Sequence, residues 1–358
     1  MNYKQAGKII LLAVVLSFLL NIFFGRLITA KVSTWSVLNK IKLLDPQTPI
    51  VINTREEIRV NDGKDILEAI QNTKTKLSNV VFVQNGQVVS AGVALNLSSE
   101  GYFVAHAQTF AQKASEYFVV LSDGKKAVVG NRTVDPATNL VFFNAKLSNL
   151  PVMNWGDSRD LKVGEKLILI KNSLQVSVPR SEVVFVKISE KDVEGQTFEA
   201  DRPSSGFVAS MNESTDGSLA VVNTKGEVVG LTDGKGVIIS STVMKRATAK
   251  YFENKEKIMR STYGFSYSIL TKTESEILGL PQGAIIKNII RTGKQKMPAF
   301  EAGLLEKDII IAVEGQAISE NFGLEDALQK YNPRDRMKIT VIRGKESKEL
   351  ILNLGELR

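Results

Sequence analysis

Residues 101–110, GYFVAHAQTF, have the pattern of a buried strand that ends in a short helical turn. The stretch contains His106, the only histidine in the chain of 358 residues. Short β-rich runs of the same kind recur from Val80 onward at intervals of roughly ten residues, a spacing typical of all-β domains. Turn pairs such as Asn85-Gly86 and Asp123-Gly124 separate these runs. Many short strands with regular turns and almost no long helix predict an all-β barrel or sandwich.

The composition excludes several kinds of site. Because the chain has no cysteine, it has no disulfide, thiol nucleophile or thiolate metal ligand. Since it also has a single histidine, we predict no metal site. We also predict no cofactor. The net charge is +8, from 46 basic and 38 acidic residues, but the basic residues are spread along the chain rather than clustered with aromatic residues. This distribution predicts a solvated basic surface and no nucleic-acid partner.

The N-terminus is strongly apolar. Residues 9–24, IILLAVVLSFLLNIFF, contain one serine and one asparagine as their polar residues, and the run extends to Ala30. This length approaches the ~20 residues needed to span a bilayer. We predict an uncleaved membrane anchor over residues 9–30, in a single-pass cell-membrane protein whose C-terminal domains are extracytoplasmic. The flanking charges do not favour this orientation, although a long folded domain can translocate regardless of loop charge.

A cleaved signal peptide is the alternative interpretation of this segment. Ala30 would then stand at the cleavage point, but Ile28, two residues earlier, is larger than the residues that such sites prefer. The size of Ile28 therefore favours an anchor that stays in the mature protein.

The rest of the chain divides into segments with different residue patterns. Residues 31–61 contain two prolines and no sustained period, which predicts a stalk or linker. Asp62 is a candidate N-cap because four apolar residues follow at helical spacing: Ile66, Leu67, Ile70 and Leu77. We predict a connecting helix over residues 243–260. From about Tyr263, alternating strand and helix patterns over about ninety residues predict a compact α+β domain.

Three stretches of the β-rich part carry a further pattern: SEGYFVAHAQTF (99–110), VDPATNLVFFNAK (134–146) and STDGSLAVVNTKGEVVGL (214–231). In this order they resemble the segments that hold the general base, its orienting aspartate and the nucleophile in the HtrA (Deg) family of serine proteases. Two C-terminal stretches, LGLPQGAIIKNI (278–289) and PAFEAGLLEKDIIIAVEGQAI (298–318), resemble the PDZ domain of the same family.

The resemblance implies a mainly β protein with three parts. These are an N-terminal transmembrane helix, a chymotrypsin-like (trypsin-like) double β-barrel and a C-terminal α+β PDZ domain. We accordingly expect a cytoplasmic tip and anchor at 1–30, a linker with a short helix at 31–78, the double barrel at 79–250, and a linker helix with the PDZ domain at 251–358. Homotrimers are common in the family, so the resemblance also implies this assembly.

The residues that a serine protease requires are replaced at the matching positions. By resemblance the general base falls on Gln108, whose carboxamide has no titratable nitrogen near neutral pH. The orienting aspartate falls on Asn139, which is neutral and does not stabilise an imidazolium. The nucleophile falls on Gly217 without a gap, or on Ser218 if one residue is deleted. The sequence therefore predicts a degenerate catalytic triad.

Two further features oppose catalysis. His106 precedes Gln108 by two residues, or about 6.6 Å along an extended strand, which is beyond hydrogen-bond reach of a hydroxyl placed for residue 108. We therefore expect His106 to be a partly buried residue satisfied by the backbone. If Ser218 is the nucleophile, Asp216 precedes it by two positions and Leu219 follows it, where the family has glycines that shape the oxyanion turn.

The PDZ domain keeps the residues that its binding mode needs. By resemblance, Tyr263-Gly264-Phe265 is the loop whose N–H groups hold a peptide C-terminal carboxylate. An exposed strand edge at residues 266–269, which includes Ser266 and Tyr267, would then pair with the peptide backbone. Leu324 and Leu328 would line the side-chain pocket. The alternative is that these residues only complete the core of the domain.

Three functions remain open from the sequence. The first is a membrane-tethered pseudoprotease that binds peptide C-termini or unfolded segments as a scaffold, sensor or modulator in envelope protein quality control. The second is an active serine endopeptidase with a non-standard site, for example Ser218 with a buried lysine as base. The third is a purely structural envelope protein.

Overall fold

The structure is a computed structural model that describes residues 14–20, 62–175, 178–191, 197–203, 206–209, 218–232, 237–291, 297–319 and 323–357. The chain forms two compact units, Met1–Val60 and Asn61–Arg358. In the first unit, residues 14–20 are helical. Most of the predicted anchor at 9–30 and the linker at 31–61 lie outside the described residues. In the part of the chain that the structure describes, no helix is long and apolar enough to cross a membrane.

The second unit contains two closed six-stranded barrels, whose spatial orders are β1-β2-β3-β6-β5-β4 and β10-β13-β12-β11-β7-β8. The strands of the first are β1 (Leu77–Gln84), β2 (Gln87–Asn96), β3 (Tyr102–His106), β4 (Tyr117–Val120), β5 (Lys126–Val134) and β6 (Leu140–Ala145). Those of the second are β7 (Lys166–Gln175), β8 (Val178–Lys191), β10 (Gly206–Ala209), β11 (Leu219–Val222), β12 (Val228–Thr232) and β13 (Val237–Ser240). This architecture confirms the predicted all-β double barrel.

A seven-stranded sheet follows, with the order β20-β19-β17-β16-β15-β9 and β18 paired to β17. Its strands are β9 (Phe198–Glu199), β15 (Phe265–Leu270), β16 (Gly283–Ile289), β17 (Ile309–Val313), β18 (Gln316–Ala317), β19 (Arg336–Arg343) and β20 (Glu346–Asn353). A two-stranded sheet joins β14 (Ser261–Thr262) to β21 (Gly355–Glu356). Strand β9 comes from the chain between the barrel strands β8 and β10, so the two domains share one sheet.

Among the described residues of the second unit, five α-helices accompany the strands: α1 (Asp62–Lys74), α2 (Ser241–Glu253), α3 (Lys272–Leu278), α4 (Pro298–Glu301) and α5 (Leu324–Leu328). The helix predicted after Asp62 is present as α1, with Asp62 as its first helical residue rather than its N-cap. Leu77 starts strand β1, so its assignment to the helix was wrong. The predicted helix over 243–260 is shorter, since α2 ends at Glu253. Helix α3 was not predicted, although Thr271 and Glu274 form a reciprocal capping box at its start.

The alternation of side chains along the strands determines which residues form each hydrophobic core. Neighbouring side chains on a strand point to opposite faces, so Phe143 stacks on Phe103 inside the first barrel while Phe142 points the other way. Phe142 stacks on Tyr251 of α2 with ring centroids 4.7 Å apart, in a core that residues of both barrels share. The short hairpin between β1 and β2 turns at Asn85-Gly86, where both residues have positive φ, as a two-residue hairpin requires.

A buried ion pair joins the first barrel to the chain that enters the PDZ domain. Arg260 donates from Nε to Asp135 Oδ1 at 2.9 Å and from Nη2 to Asp135 Oδ2 at 2.5 Å, and the two side chains are 5% and 0% exposed. Arg260 also donates from Nη1 to Gln329 Oε1 at 3.2 Å, at the end of α5. One guanidinium therefore bonds to both domains.

We predict that Arg260→Met lowers the free energy of unfolding by about 3–5 kcal/mol, because the carboxylate of Asp135 is left buried without its partner. Urea denaturation followed by tryptophan fluorescence measures the change. Arg159→Met is the matched control, since the pair of Arg159 with Asp157 is exposed and removing it costs at most about 1 kcal/mol. Equal effects of the two substitutions would contradict the structural role of Arg260.

Candidate functional site

The scaffold around the predicted general base is intact. Strand β3 ends at His106 and continues into a 3-10 helix, Ala107–Phe110, which carries Gln108 on its exposed side. The backbone N–H of Ala107 donates to the carbonyl of Asn139 at 2.8 Å. The two predicted triad positions, Gln108 and Asn139, therefore lie on segments that are bonded to each other, as a base and its orienting residue would need.

His106 caps the helix. Its Nδ1 accepts the backbone N–H of Gln108 at 3.2 Å. A ring nitrogen that accepts a hydrogen bond is unprotonated, which assigns the ring proton to Nε2. The expected backbone contact of His106 is present, and it gives the residue a capping role.

The turn before Asn139 is built by Asp135. Asp135 Oδ1 accepts the N–H of Ala137 at 3.1 Å, and the Thr138 hydroxyl donates to Asp135 Oδ2 at 2.9 Å. Asn139 then has a φ of 58°, a left-handed conformation that asparagine tolerates better than most residues. Its side chain is exposed. In the sequence Asp-Pro-Ala-Thr, the carboxylate of Asp135 thus stabilises the turn and also forms the ion pair with Arg260.

Ser218 is fully buried, at 0% exposure. Its hydroxyl donates to the carbonyl of Val93 at 2.8 Å, and its Oγ lies 2.7 Å from Thr109 Oγ1. Because the one proton of Ser218 goes to Val93, Thr109 is the donor in the second bond. A Cβ on Gly92 would lie 2.8 Å from both Ser218 N and Thr109 Oγ1, so this contact requires glycine at position 92.

This placement gives Ser218 a packing role between the two barrels. Its carbonyl accepts the N–H of Val93 at 3.0 Å, and strand β11 begins at the next residue. A nucleophilic hydroxyl must face the substrate and give its proton to a base, and Ser218 does neither here. The geometry favours the ungapped alignment, with Gly217 in the place of the nucleophile. Gly217 itself lies outside the described residues.

The predicted carboxylate loop of the PDZ domain surrounds a carboxylate. Asp201 Oδ1 accepts the backbone N–H groups of Tyr263 at 2.6 Å and Gly264 at 3.0 Å. The hydroxyl of Thr262 donates to Asp201 Oδ2 at 2.7 Å. Gly264 has a φ of 81°, which allows consecutive N–H groups to point to one side of the loop.

The strand edge that was predicted to be exposed is covered, so this prediction was wrong. Strand β9 pairs with it antiparallel, with Glu199 opposite Ser266 and Phe198 opposite Tyr267. Ala200 then donates its N–H to the carbonyl of Phe265 at 3.0 Å. The edge of β15 is thus filled by the chain itself.

The predicted side-chain pocket is filled as well. Leu324 and Leu328 are buried in the core of the domain, and Ala200 belongs to the same core at 2% exposure. Phe198 packs against Tyr267 with ring centroids 5.7 Å apart. Burial raises the pKa of the Tyr263 phenol well above its usual range, and its hydroxyl donates to the carbonyl of Leu328. Sequence reasoning missed residues 198–201, because a stretch of four residues between barrel strands carries no pattern that assigns it to a later domain.

The comparisons with known proteins agree with this architecture. Residues 263–354 match the family model for the PDZ domain. A "Probable periplasmic serine endoprotease DegP-like" of Halomonas elongata is 23% identical over 288 residues, and a protein of the same name from Pseudomonas putida strain GB-1 is 27% identical over 283 residues. Each match covers 75% of this chain but only 56% of the relative.

Solved structures share the fold. The "HtrA-type protease AlgW with decapeptide" matches with a TM-score of 0.56 at 20% identity, covering 81% of this chain and 98% of that one. The "HtrA-type protease AlgW with tripeptide" matches with a TM-score of 0.58 at 21% identity, covering 81% and 97%. The two barrels and the order of the domains define a chymotrypsin-like protease fold followed by a PDZ domain. In sequence and in fold the chain is similar to the proteases of the HtrA/Deg family.

We predict that Ser218→Ala lowers the free energy of unfolding by about 1–3 kcal/mol, because the buried hydroxyl of Thr109 loses its acceptor. Urea denaturation measures the effect. Ser115→Ala is the control, since Ser115 is exposed and its replacement is expected to change stability by less than about 0.5 kcal/mol. An Ser218→Ala protein as stable as the control would contradict the buried contact.

Proposed function

We propose that the chain is a membrane-anchored HtrA-like pseudoprotease that binds peptide C-termini or unfolded segments through its PDZ domain. It acts as a scaffold, sensor or modulator in envelope protein quality control. One observation carries the proposal: the base position is an exposed glutamine, Gln108, on a 3-10 helix whose first residue bonds to the backbone of Asn139, the position of the orienting aspartate. A fold that keeps the backbone of the site and replaces its proton-transfer group is suited to binding rather than to hydrolysis.

The magnitude of the loss supports this proposal. Removing the serine or the histidine of a triad costs about 10⁶ in turnover, and the effects of the triad members are not additive. Here the base and its orienting carboxylate are both replaced, by Gln108 and Asn139. Ser218 is buried, and its hydroxyl bonds to the Val93 carbonyl and the Thr109 hydroxyl. Substrate binding and oxyanion effects alone leave a residual rate far below that of a working protease.

The PDZ loop supports the binding half of the proposal. Two backbone N–H groups and one hydroxyl, from Thr262, Tyr263 and Gly264, converge on the carboxylate of Asp201. A site that holds a side-chain carboxylate has the donors to hold a C-terminal one. The AlgW structures were solved with a decapeptide and with a tripeptide, in line with this use of the fold.

The cellular location rests on the relatives and on the N-terminus. The similar DegP-like proteins are named as periplasmic. The apolar segment 9–30 would tether the chain to the membrane and place the barrels and the PDZ domain on the extracytoplasmic side. A homotrimer, common in the family, is the assembly we propose.

An active protease with a lysine base is the second candidate. Lys250 is partly buried, and its pKa is lowered by burial and then by the charge of Arg260. Its Nζ, however, donates to Asn332 Oδ1 at 3.0 Å, in the PDZ domain. The hydroxyl of Ser218 bonds instead to the Val93 carbonyl and the Thr109 hydroxyl, so the pseudoprotease is the better supported function.

We predict that the full-length chain cleaves casein no faster than its Ser218→Ala variant, and that neither is labelled by a fluorophosphonate, because no base activates a hydroxyl. Gln108→His/Asn139→Asp is expected to stay at background as well, since Ser218 remains buried. An active DegP-like relative is the positive control. Turnover that depends on Ser218 would refute the pseudoprotease.

We predict that C-terminal peptides bind the chain with modest affinity and that amidation of their C-terminus weakens binding at least tenfold, because the loop donates charge-assisted hydrogen bonds. Isothermal titration measures both forms. Gly264→Val is expected to abolish binding, since a Cβ there would lie 2.5 Å from Met297 Cβ.

Gly279→Val is the matched control for that substitution. Gly279 also has a positive φ of 64°, but a Cβ there meets no atom within 4 Å. It ends α3 and belongs to no part of the loop. Equal binding of free and amidated peptides would mean that the loop is not a carboxylate site.

A further inference from the structure

The PDZ groove contains a segment of the same chain, residues 198–201 with the sequence Phe-Glu-Ala-Asp. We propose that this segment is a built-in ligand of the groove. External ligands must displace it, and they are peptides that end in Phe-x-Ala with a free carboxylate. This inference rests on the proposed peptide-binding function and names the ligand class of that site.

The backbone of the segment makes the contacts of an added strand. Glu199 lies opposite Ser266 and Phe198 opposite Tyr267, in an antiparallel register. The bond from the N–H of Ala200 to the carbonyl of Phe265 extends the ladder by one residue toward the loop. Peptides that bind by strand addition use the same main-chain bonds, so an external peptide and strand β9 compete for one edge.

The carboxylate of Asp201 takes the place of a chain terminus. The N–H of Arg202 donates to the carbonyl of Glu199 at 3.2 Å, and this turn carries the chain away from the groove. The side chain of Asp201 meanwhile reaches the N–H groups of Tyr263 and Gly264. A peptide that ended at Ala200 would keep every backbone bond between the segment and strand β15, and would present its own terminal carboxylate next to the same donors.

The side chains of the segment define the ligand. Residues 198 and 200 share one face of the strand, and Glu199 points to the other face and is exposed. Ala200 is 2% exposed in the core that contains Leu324 and Leu328, which fits a small last residue. Phe198 packs on Tyr267, which fits an aromatic residue two positions earlier. The residue between them is unrestricted.

Competition within one chain weakens external binding. A segment tethered by a short linker has an effective concentration of the order of mM, so a free peptide with the same contacts must exceed that level to displace it. The apparent dissociation constant is the intrinsic one divided by the fraction of open groove. Weakening the internal contact therefore raises the affinity for the external peptide.

The first experiment titrates the peptide Thr-Phe-Glu-Ala, as free acid and as amide, into the full-length chain. Asp201→Asn keeps the shape of the side chain and removes its charge, so we expect the free acid to bind it at least ten times more tightly than the wild type. Glu199→Gln is the matched control in the same segment and is expected to stay within twofold of the wild type. Equal affinities of Asp201→Asn and the wild type, with the free acid bound by both, would overturn the proposal.

The second experiment does not depend on peptide binding. Because the chain has no cysteine, Glu199→Cys/Ser266→Cys introduces a single pair. Directly opposed strand residues lie within disulfide distance, so we expect the pair to oxidise readily and the oxidised protein to lose peptide binding until it is reduced. Glu199→Cys/Ile269→Cys is the control, since position 269 lies three residues, or about 10 Å, further along the strand.

The outcomes distinguish occupancy of the groove by residues 198–201 from the proposed peptide-binding function. Failure of the 199/266 pair to form above the level of the 199/269 pair would overturn occupancy of the groove by residues 198–201. Efficient formation of the 199/266 disulfide, together with no peptide binding by any variant, would support occupancy and overturn the proposed peptide-binding function.

Discussion

The free edge of strand β15 is the constraint on which the arrangement of the two domains depends. A strand edge presents N–H and C=O groups that need partners, and an apolar groove beside it needs cover. The chain meets both needs with residues 198–201, taken from between two strands of the second barrel. The carboxylate of Asp201 satisfies the N–H groups of the loop at the end of the groove. The guanidinium of Arg260 also bonds to both domains. The contact between the barrels and the PDZ domain is therefore stabilised by residues 198–201 and, separately, by Arg260.

Backbone contacts hold the segments that carry Gln108, Asn139 and Ser218, so the double barrel does not depend on the side chains of a catalytic triad. The bond from Ala107 to Asn139 and the bond from Val93 to Ser218 require no particular side chain at the positions of the triad. The side chains that remain serve structure: His106 caps a helix, Asp135 holds a turn and an ion pair, and Ser218 fills the space beside Gly92. Catalysis needs charge and proton transfer at those positions, whereas folding needs only packing and satisfied hydrogen bonds.

The sequence predicted what depends on local pattern and missed what depends on distant pairing. Alternating apolar runs and turn pairs such as Asn85-Gly86 were sufficient for both barrels, and the loop at residues 263–265 could be placed from its glycine. Leu77 was misassigned because a single apolar residue at helical spacing also fits the start of a strand. Strand β9 could not be found, since two residues that pair with a strand of another domain leave no periodicity, and the role of Asp201 follows only from that pairing.

The position of strand β9 in the chain gives the groove a means of communication that needs no hydrolysis. Residues 198–201 lie between β8 and β10, which pair with each other to close the second barrel, with Phe207 opposite Lys191. The segment is thus tethered at both ends to the barrel that carries Ser218, and a ligand that displaces it moves chain that belongs to this barrel. Residues 198–201 cannot lie in the groove while an external peptide occupies it. Binding of a peptide to the PDZ groove is therefore coupled to the conformation of the chain between β8 and β10, and so to the free energy of the second barrel. If the chain is the pseudoprotease that we propose, this coupling supplies the physical basis of a sensor.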